Sequence, residues 1–306
     1  MRVLLTGGAG FIGSHLLERL IARGDEVAVI DDFNDYYDPA IKRRNLPRGG
    51  FRLHERDIRQ SAEVVAREKP DVVVHLAARA GVRPSLADPA LYDSVNVAGT
   101  LTLLEACRRN GVGRFLFASS SSVYGNGRAP ASEDDEPLQP ISPYGISKLV
   151  GEQYVRIYSH LHGLRSTCLR FFTVYGPRQR PDMAIHAFTG AIAEGREITV
   201  YGDGSTERDY THVSDILQGI LSALDRPEAF GVYNLGESRT VPLRRVIELL
   251  EENLGRKARI RQMPEQPGDV RRTFASIDRA RERLAYRPEI SIEDGLRDWV
   301  AWYRKA

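Results

Sequence analysis

Tyr144 and Lys148 lie four positions apart in a segment that begins with Ser142 and Pro143. Ser142 is a good helix N-cap and Pro143 suits the first helical position, so the sequence predicts a helix over 143–160 with both side chains on one face. A phenol with an ordinary pKa of about 10 is a poor base at neutral pH. A neighbouring ammonium and the positive end of the helix would favour the phenolate. The pair is therefore a candidate general base for the proton of an alcohol.

A run of four serines could supply the hydroxyl that relays such a proton. The run from Ser119 to Ser122 follows an apolar segment that is predicted to be a strand. Active sites of parallel sheets open at the carboxyl ends of the strands, so this position favours an active-site role. A serine run is otherwise typical of a turn or linker, and a Tyr and a Lys at this spacing occur by chance in many helices. The serine run and the Tyr144/Lys148 spacing therefore indicate an active site only when they are taken together.

A glycine-rich turn near the N-terminus predicts a dinucleotide site. Gly7, Gly10 and Gly13 follow an apolar strand and open a helix that includes Phe11 and Ile12. In this context the first glycine permits a tight turn, the second lets the backbone approach a pyrophosphate, and the third lets helix and strand pack closely. The helix N-terminus offers free N–H groups and the positive end of its dipole to phosphates.

An acidic residue at the end of the second predicted strand indicates which dinucleotide is bound. Asp31 lies 18 residues after Gly13, where a carboxylate can accept hydrogen bonds from the adenosine ribose hydroxyls. Asp31 and Asp32 together would repel the additional phosphate of NADP. The alternative is an ordinary turn at a strand end. The combination with the glycine-rich turn favours NAD as the cofactor.

The elements that must position these residues alternate along the first part of the chain. Predicted strands at 2–6, 27–31, 52–56, 72–77, 115–119 and 167–172 alternate with predicted helices at 12–23, 62–68, 91–109 and 143–160. This alternation predicts the α/β class, with a Rossmann-type doubly wound parallel sheet. We expect a dinucleotide-binding domain at 1–173 and a smaller α/β substrate lobe at 174–306, with 209–236 returning to the first domain. The predicted helices of the second part are 185–194, 213–224 and 243–254.

Composition excludes several other classes of protein. The 306 residues are 42% hydrophobic and 27% charged, with a net charge of only +2 and scattered basic residues. We therefore expect no nucleic-acid partner and no association with a membrane. The first residues carry no signal-peptide pattern, so the expected location is cytoplasmic. Cys107 and Cys168 lie in apolar segments and are expected to be buried free thiols, and no metal-ligand spacing occurs.

These motifs together resemble the extended short-chain dehydrogenase/reductase family, and the similarity covers nearly the whole chain. The motifs that carry it are 6–13, Asp57-Ile58, 75–78, Asn96 with Gly99-Thr100, the serine run, the Tyr144/Lys148 pair and 208–213. The resemblance implies that Ser120 is the catalytic hydroxyl. It also implies that Arg208 and Asp269 bind the phosphates and ribose of UDP. The predicted cofactor contacts of the family pattern are Asp57, Ile58, Ala77, Ala78, Asn96, Phe171 and Val174.

Within that family the chain is similar to the UDP-glucuronate 4-epimerases. The segments that carry this closer similarity are 34–38, 80–83, 171–177 and 180–183. It implies that Arg180 binds the sugar carboxylate, because a guanidinium binds a carboxylate bidentately. The alternative is that Arg180 is a surface residue in a proline-rich loop. The other predicted substrate contacts are Ser121 or Ser122, Thr173, Thr199 and Tyr201. Gln266 stands where UDP-galactose epimerases carry an arginine, so Arg271 or Arg272 is expected to make the phosphate contact of that arginine.

The implied reaction is inversion at C4 of a UDP-sugar. Tyr144 removes the 4-hydroxyl proton through Ser120, C4 loses hydride to NAD, and the 4-keto sugar rotates and takes the hydride back on its other face. One alternative is a UDP-glucose 4-epimerase with a neutral substrate. A second is a UDP-glucuronate decarboxylase, although Ser122 stands where decarboxylases carry a glutamate. A third is a non-catalytic NAD sensor, which the intact Ser120, Tyr144 and Lys148 disfavour.

The family resemblance also implies a homodimer. Its members pair through the helices that correspond to 91–109 and 143–160, packed as a four-helix bundle. The apolar residues Leu101, Leu104, Val150, Val155 and Ile157 are compatible with that interface. The same pattern would also suit the core of a monomer.

Replacing Tyr144 by Phe tests the general-base assignment. The variant keeps the ring but loses the hydroxyl, so we expect turnover of UDP-sugars to fall by about 10²- to 10⁴-fold. Product formation from UDP-glucuronate and UDP-glucose is measured by proton NMR, and the NAD content of the purified variant serves as the control. A variant with unchanged turnover would refute the assignment.

Overall fold

The computed structural model describes residues 1–264 and 272–305, and its described residues contain a parallel sheet of seven strands. The strands are β1 Arg2–Thr6, β2 Glu26–Asp31, β3 Phe51–Glu55, β4 Val72–His75, β5 Arg114–Ser120, β6 Arg165–Phe171 and β11 Phe230–Leu235. Their order in the sheet is β11-β6-β5-β4-β1-β2-β3. The strand order reverses at β1: β2 and β3 lie on one side of it, and β4, β5 and β6 lie on the other. β1 and β4 are parallel neighbours, with Val3 opposite Val72. The predicted Rossmann-type sheet is confirmed.

Helices cover both faces of this sheet. The helices are α1 Phe11–Ala22, α2 Pro39–Asn45, α3 Ala62–Glu68, α4 Val82–Ala87, α5 Pro89–Tyr92, α6 Gly99–Arg109, α7 Pro143–His162, α9 Val213–Asp225 and α11 Asp278–Leu284. Apolar residues of α1, α9 and α11 form one core with one face of the strands. Residues of α3, α6 and α7 form a second core on the other face. The sheet is therefore buried on both sides, as its apolar strands require.

Among its described residues, the smaller lobe contains three two-stranded sheets. In these, β7 Thr173–Tyr175 pairs with β10 Tyr210–His212, β8 Glu197–Tyr201 with β13 Arg259–Met263, and β9 Glu207–Arg208 with β12 Val241–Pro242. Its helices are α8 Ala184–Glu194, α10 Leu243–Leu254 and α12 Ile292–Tyr303. The fully buried Trp299 anchors their common core and donates a hydrogen bond from Nε1 to Thr189 Oγ1 at 2.7 Å.

The chain passes between the two cores more than once. After β10 it returns to the large sheet, where α9 packs on α1 and β11 pairs with β6. After β13, α11 again packs against β11, and α12 then completes the smaller lobe. The boundaries 1–173 and 174–306 stay a prediction. No helix within 1–264 or 272–305 has the length and apolar character needed to span a membrane.

The predicted helix at 91–109 is interrupted. Asp93–Ala98 forms a π-helical segment between α5 and α6. This turn directs Asn96 inward, where its side chain accepts a hydrogen bond from Arg79 N at 2.8 Å and donates to Arg79 O at 2.9 Å and Ser147 Oγ at 3.0 Å. A wider helical turn at this point lets one polar side chain hold the loop after β4.

Leu16 on α1 provides a test of the core that supports the glycine-rich turn. Its side chain is fully buried, so Leu16→Ala should lower the free energy of unfolding by about 2–5 kcal/mol. Arg19 is exposed on the same helix, and Arg19→Ala should change it by less than about 0.5 kcal/mol. Urea denaturation of both variants measures the difference. Equal effects would contradict the assigned packing of α1.

Candidate active site

A cavity of about 1150 Å³, including its open mouth, lies at the carboxyl ends of the strands, where the strand order reverses between β1 and β4. This is the place where open α/β sheets bind their ligands. Most predicted cofactor residues line it, as does the predicted carboxylate-binding arginine. They are Gly7, Gly10, Phe11, Ile12, Gly13, Asp31, Asp32, Asp57, Ile58, Ala77, Ala78, Tyr144, Lys148, Phe171 and Arg180. The fold thus brings together side chains that lie up to 173 positions apart in sequence.

The glycine-rich turn has the shape that a dinucleotide requires. Gly7 has φ +73°, and a Cβ on Gly13 would lie 2.0 Å from Gly7 O, so both positions need glycine. An added Cβ on Gly10 would contact only Gly7 O, at 3.3 Å, and would otherwise occupy the cavity. Gly10 caps α1 without a side-chain hydrogen bond, which leaves the first N–H groups of that helix for a ligand. These residues fit the pyrophosphate of NAD.

Asp31 is fixed at the edge of the same cavity. Its Oδ2 accepts a hydrogen bond from Ala9 N at 2.9 Å and its Oδ1 accepts one from Phe33 N at 3.0 Å. A carboxylate has about four acceptor positions, so further hydrogen bonds to ribose hydroxyls remain available. Burial raises the pKa of Asp31, while these two hydrogen bonds and Lys42 oppose the rise. Asp31 and Asp32 give this end of the cavity the negative charge that disfavours NADP.

Tyr144 and Lys148 extend from the first turns of α7 into the cavity. Ser142 accepts a hydrogen bond from Gly145 N at 3.1 Å, which confirms the predicted N-cap. Burial raises the pKa of Tyr144, while a hydrogen bond with Ser120 and the charge of Arg180 lower it. Lys148 Nζ donates to Ala118 O at 2.8 Å and lies 5.9 Å from the centre of the Tyr144 ring.

Lys148 carries a charge in this buried position. Burial lowers the pKa of Lys148 to about 8, against the opposing effect of Glu152. The ammonium form therefore predominates at neutral pH. A cation at this distance favours the phenolate of Tyr144, as the spacing of the two residues predicts.

The serine run divides into residues with different contacts. Ser119 lines the cavity and donates its hydroxyl to Glu152. Ser120 contacts Tyr144, accepts a hydrogen bond from Ser122 N at 3.1 Å and lies 3.1 Å from Ser122 Oγ. Ser121 and Ser122 are half-buried in the short 3₁₀ turn that follows β5. Ser120 is thus the serine placed to exchange a proton with Tyr144.

Arg180 lies in the cavity and is largely buried. Its Nε and Nη2 each donate to Asp182 at 2.9 Å, and its guanidinium lies 5.4 Å from the centre of the Tyr36 ring. Tyr36 OH donates to the same carboxylate at 3.2 Å. Burial alone would lower the pKa of Arg180, but the Asp182 hydrogen bonds raise it above its ordinary value. Arg180 therefore presents a fixed positive charge near Tyr144.

Other predicted site residues do not line this cavity. Val174 is buried in β7, and Asn96 lies behind the cavity wall, where it holds the loop at Arg79. Among the predicted substrate residues, Thr173 is half-buried in β7 and Thr199 is exposed on β8. Tyr201 packs under Arg83 at 4.9 Å, Arg208 Nη1 donates to Glu207 O at 2.9 Å, and Arg272 pairs with Glu207 at 3.0 Å. Asp269, Arg271 and Gln266 lie outside the described residues.

The sequence-based prediction missed several residues of the cavity wall. These are Asn34, Tyr36, Tyr37, Lys42, Arg56, Leu76, Arg79, Ala80, Val95, Ala118 and Ser119. Lys42 is 5% exposed, and its Nζ donates to Asn34 O at 2.6 Å and lies 4.7 Å from the centre of the Tyr37 ring. The aromatic pair in 34–38 was an available signal, because tyrosines beside an acidic strand end are candidates for ligand contact. A lysine in a short helix gives no such signal.

Within 1–264 and 272–305 no group of three or more His, Cys, Asp or Glu residues could hold a metal ion. Cys107 and Cys168 are buried free thiols, and burial raises the pKa of both. Acid–base chemistry on an alcohol, coupled to a dinucleotide, is what the arrangement can perform.

A doubly wound sheet with a dinucleotide turn and a Tyr–Lys–Ser site defines a short-chain dehydrogenase/reductase of the extended type. Residues 3–236 match the model of the NAD dependent epimerase/dehydratase family, and the chain belongs to that family. UDP-glucuronate 4-epimerase 5 of Arabidopsis thaliana is 42% identical over an alignment of 330 positions, which covers 99% of this chain and 75% of that protein.

Two solved structures have the same fold over the whole chain. UDP-glucuronic acid 4-epimerase from Bacillus cereus, in complex with UDP-glucuronic acid and NAD, is 36% identical with a TM-score of 0.94, over 100% of this chain and 99% of that one. UDP-glucose 4-epimerase of Thermus thermophilus, in complex with NAD, is 36% identical with a TM-score of 0.93, over 100% of both chains. The protein is an NAD-dependent 4-epimerase of UDP-sugars.

Gly13→Ala tests the fit of the cavity to NAD. The added methyl group would lie 2.0 Å from Gly7 O, and relief of such a contact costs about 1–3 kcal/mol. We therefore expect the Kd for NAD, measured by calorimetry, to rise by roughly 5- to 150-fold. Gly49 has no atom within 4 Å of an added Cβ, so Gly49→Ala is the matched control and should bind NAD normally. Normal binding by Gly13→Ala would show that the turn does not hold the cofactor.

Proposed function

We propose that the protein is a UDP-glucuronate 4-epimerase, which interconverts UDP-glucuronate and UDP-galacturonate. The observation that carries the choice of substrate is Arg180, a largely buried cation in the same cavity as Tyr144. A buried guanidinium attracts a carboxylate strongly, and a neutral sugar would gain much less from it. The relatives whose names include UDP-glucuronate support the same choice.

Bound NAD supplies an acceptor for the hydride of the sugar C4 and a donor for its return. The cavity residues described above would hold it, with the glycine-rich turn at the pyrophosphate and Asp31 at the adenosine ribose. Because hydride is returned, the reaction has no net redox change and the cofactor stays in place.

The residues of this chain move the proton. Tyr144, as phenolate, accepts the proton of the sugar 4-hydroxyl, with Ser120 hydrogen-bonded to its oxygen. Lys148 stays protonated and offsets the negative charge of the phenolate. When the other face of C4 is reduced, Tyr144 returns the proton to the 4-oxygen. Proton transfer by one group in both directions suits a reaction that inverts one carbon and changes nothing else.

A carboxylated sugar must also be protected from loss of carbon dioxide, because a 4-ketoglucuronate is a β-keto acid. We infer that Arg180 and Ser122 hold the carboxylate in an orientation in which its C–C bond is poorly aligned for cleavage. Asp182 fixes the plane of the Arg180 guanidinium, and Tyr36 in turn holds Asp182. Thr173 and Ser121 are proposed as further sugar contacts.

A UDP-glucose 4-epimerase is the second candidate. The contact between Arg180 and Asp182 favours it, because the charge of the arginine is already compensated before any sugar is bound. The Thermus structure is named as an enzyme of that activity. Incubation of the purified protein with UDP-glucuronate and, separately, with UDP-glucose distinguishes the two candidates by the product of each. A UDP-pentose product with release of carbon dioxide would instead show a decarboxylase.

We also propose a homodimer in the cytoplasm. Leu104 and Val155, which the sequence offered as interface residues, are fully buried within the subunit. Ile146, Ile157 and Leu161 of α7 are 52%, 45% and 63% exposed, and they support pairing through this helix. Light scattering of the purified protein in solution gives its mass.

Arg180→Ala is the sharpest test of the substrate. Loss of a charge-assisted contact of about 1.5–3 kcal/mol should lower kcat/KM for UDP-glucuronate by roughly 10- to 150-fold more than kcat/KM for UDP-glucose, which loses only the effect of the Arg180 charge on Tyr144. Arg178→Ala is the matched control, since Arg178 lies two residues away and pairs with Glu18 at 2.6 Å. Equal losses on both sugars would remove the argument for a carboxylate substrate.

A further inference from the structure

A buried ion pair lies directly behind the catalytic residues. Glu152 and Arg170 are each 3% exposed. Arg170 Nε donates to Glu152 Oε1 at 2.9 Å, and its Nη2 donates to Glu152 Oε2 at 2.8 Å. Removal of two charges from water is costly, and a fold is often no less stable with apolar residues in place of such a pair. The position of this pair therefore calls for a reason other than stability.

The contacts of Arg170 on its other side hold the pair in one orientation. Its Nη1 donates to Tyr124 OH at 2.8 Å, and Tyr124 OH donates to Asn234 Oδ1 at 2.7 Å. Asn234 also donates to the backbone carbonyls of Ala131 and Ser276, each at 3.0 Å. The network thus links α7, β6 and β11 behind the wall of the cavity.

The carboxylate of Glu152 faces the catalytic end of β5 and α7. Glu152 follows Lys148 by one helical turn, and it accepts a hydrogen bond from Ser119, a residue of the cavity wall. Ser119 lies between Ala118, whose carbonyl binds Lys148 Nζ at 2.8 Å, and Ser120, which contacts Tyr144. One carboxylate therefore contacts the strand end that holds both catalytic partners of the tyrosine.

We propose that Glu152 is a positioning residue for the 4-epimerase reaction, which keeps the buried Lys148 in its charged form and fixes the Ser119–Ser120 end of β5. Arg170 holds the Glu152 carboxylate in the orientation that both tasks need. The proposal rests on the proposed function only for its acid–base step, and it is independent of which UDP-sugar is preferred.

The charged and titratable groups around Lys148 determine the sign of the effect. On its own helix these are Tyr144 and Glu152, and on β6 the charge of Arg170 is compensated by Glu152. On β4, burial lowers the pKa of His75 to about 3, so that ring is neutral at working pH. β5 contributes a carbonyl and the Phe117 ring, whose centre is 5.0 Å from Nζ.

Removal of the Glu152 charge therefore has a defined direction. Lys148 would lose its neighbouring anion and face the uncompensated cation of Arg170, so the pKa of Lys148 would fall below about 8. Activity needs the ammonium form of Lys148. The decline of activity at alkaline pH would therefore begin at a lower pH than in the parent enzyme.

The pH profile of kcat for Glu152→Gln tests this. We expect its alkaline limb to move to lower pH by about one unit relative to the parent enzyme, with KM for the UDP-sugar changed much less. Glu152→Asp keeps the negative charge, so its alkaline limb should lie close to that of the parent enzyme. Val155→Ala removes buried volume from the same helix without a change of charge, so it should be less stable but keep the parent profile.

A double variant keeps the test decisive if Glu152→Gln does not fold because Arg170 is left unpaired. Glu152→Gln combined with Arg170→Gln removes both charges, and the alkaline limb should shift in the same direction by a smaller amount. An unchanged limb in the folded variants would overturn the proposal, and Glu152 would then be purely structural. A parent enzyme without epimerase activity would instead refute the proposed function, so the two failures are distinguishable.

Discussion

The structure is organised around one conflict: in the proposed reaction, the half-buried Tyr144 and the buried Lys148 must both carry charge. Burial raises the pKa of Tyr144 and lowers that of Lys148, and both shifts oppose the phenolate and ammonium that the chemistry needs. The surrounding contacts oppose burial. Ser120 and Arg180 act on the phenol, while Glu152 acts on the amine. Catalysis by this pair thus depends on groups that lie on different segments of the chain.

The parallel sheet is what makes those segments meet. All of its strands end at the same edge, so β1, β2, β5 and β6 deliver the glycine-rich turn, the acidic residues, Ser119 and Phe171 to one cavity. The reversal of strand order between β1 and β4 leaves room there for an extended ligand. The cofactor half of the site is therefore a direct consequence of topology.

The proposed sugar half of the site is built differently. Arg180 comes from the loop after β7, outside the large sheet, and its direction is set by Asp182 and Tyr36 rather than by a strand. Such a loop can change its side chains without disturbing the sheet. This arrangement explains how relatives named for glucuronate and for glucose share one fold with TM-scores of 0.94 and 0.93 to this chain. In the proposed function, discrimination between the sugars would depend on the charged contacts of Arg180 in this loop.

The local sequence determined the seven-residue glycine turn, the acidic strand end, the N-cap at Ser142 and the shared face of Tyr144 and Lys148. Each of these follows from backbone geometry within a few residues, such as helical periodicity or the need for a missing Cβ. Tertiary structure alone decided which serine contacts Tyr144, that Asn96 turns away from the cavity, and that Lys42, Tyr36 and Arg79 line it. It also decided the pairing of Glu152 with Arg170. These outcomes depend on burial and on contacts between distant segments. The cavity exists only after those segments have packed, so no local sequence pattern determines which side chains point into it.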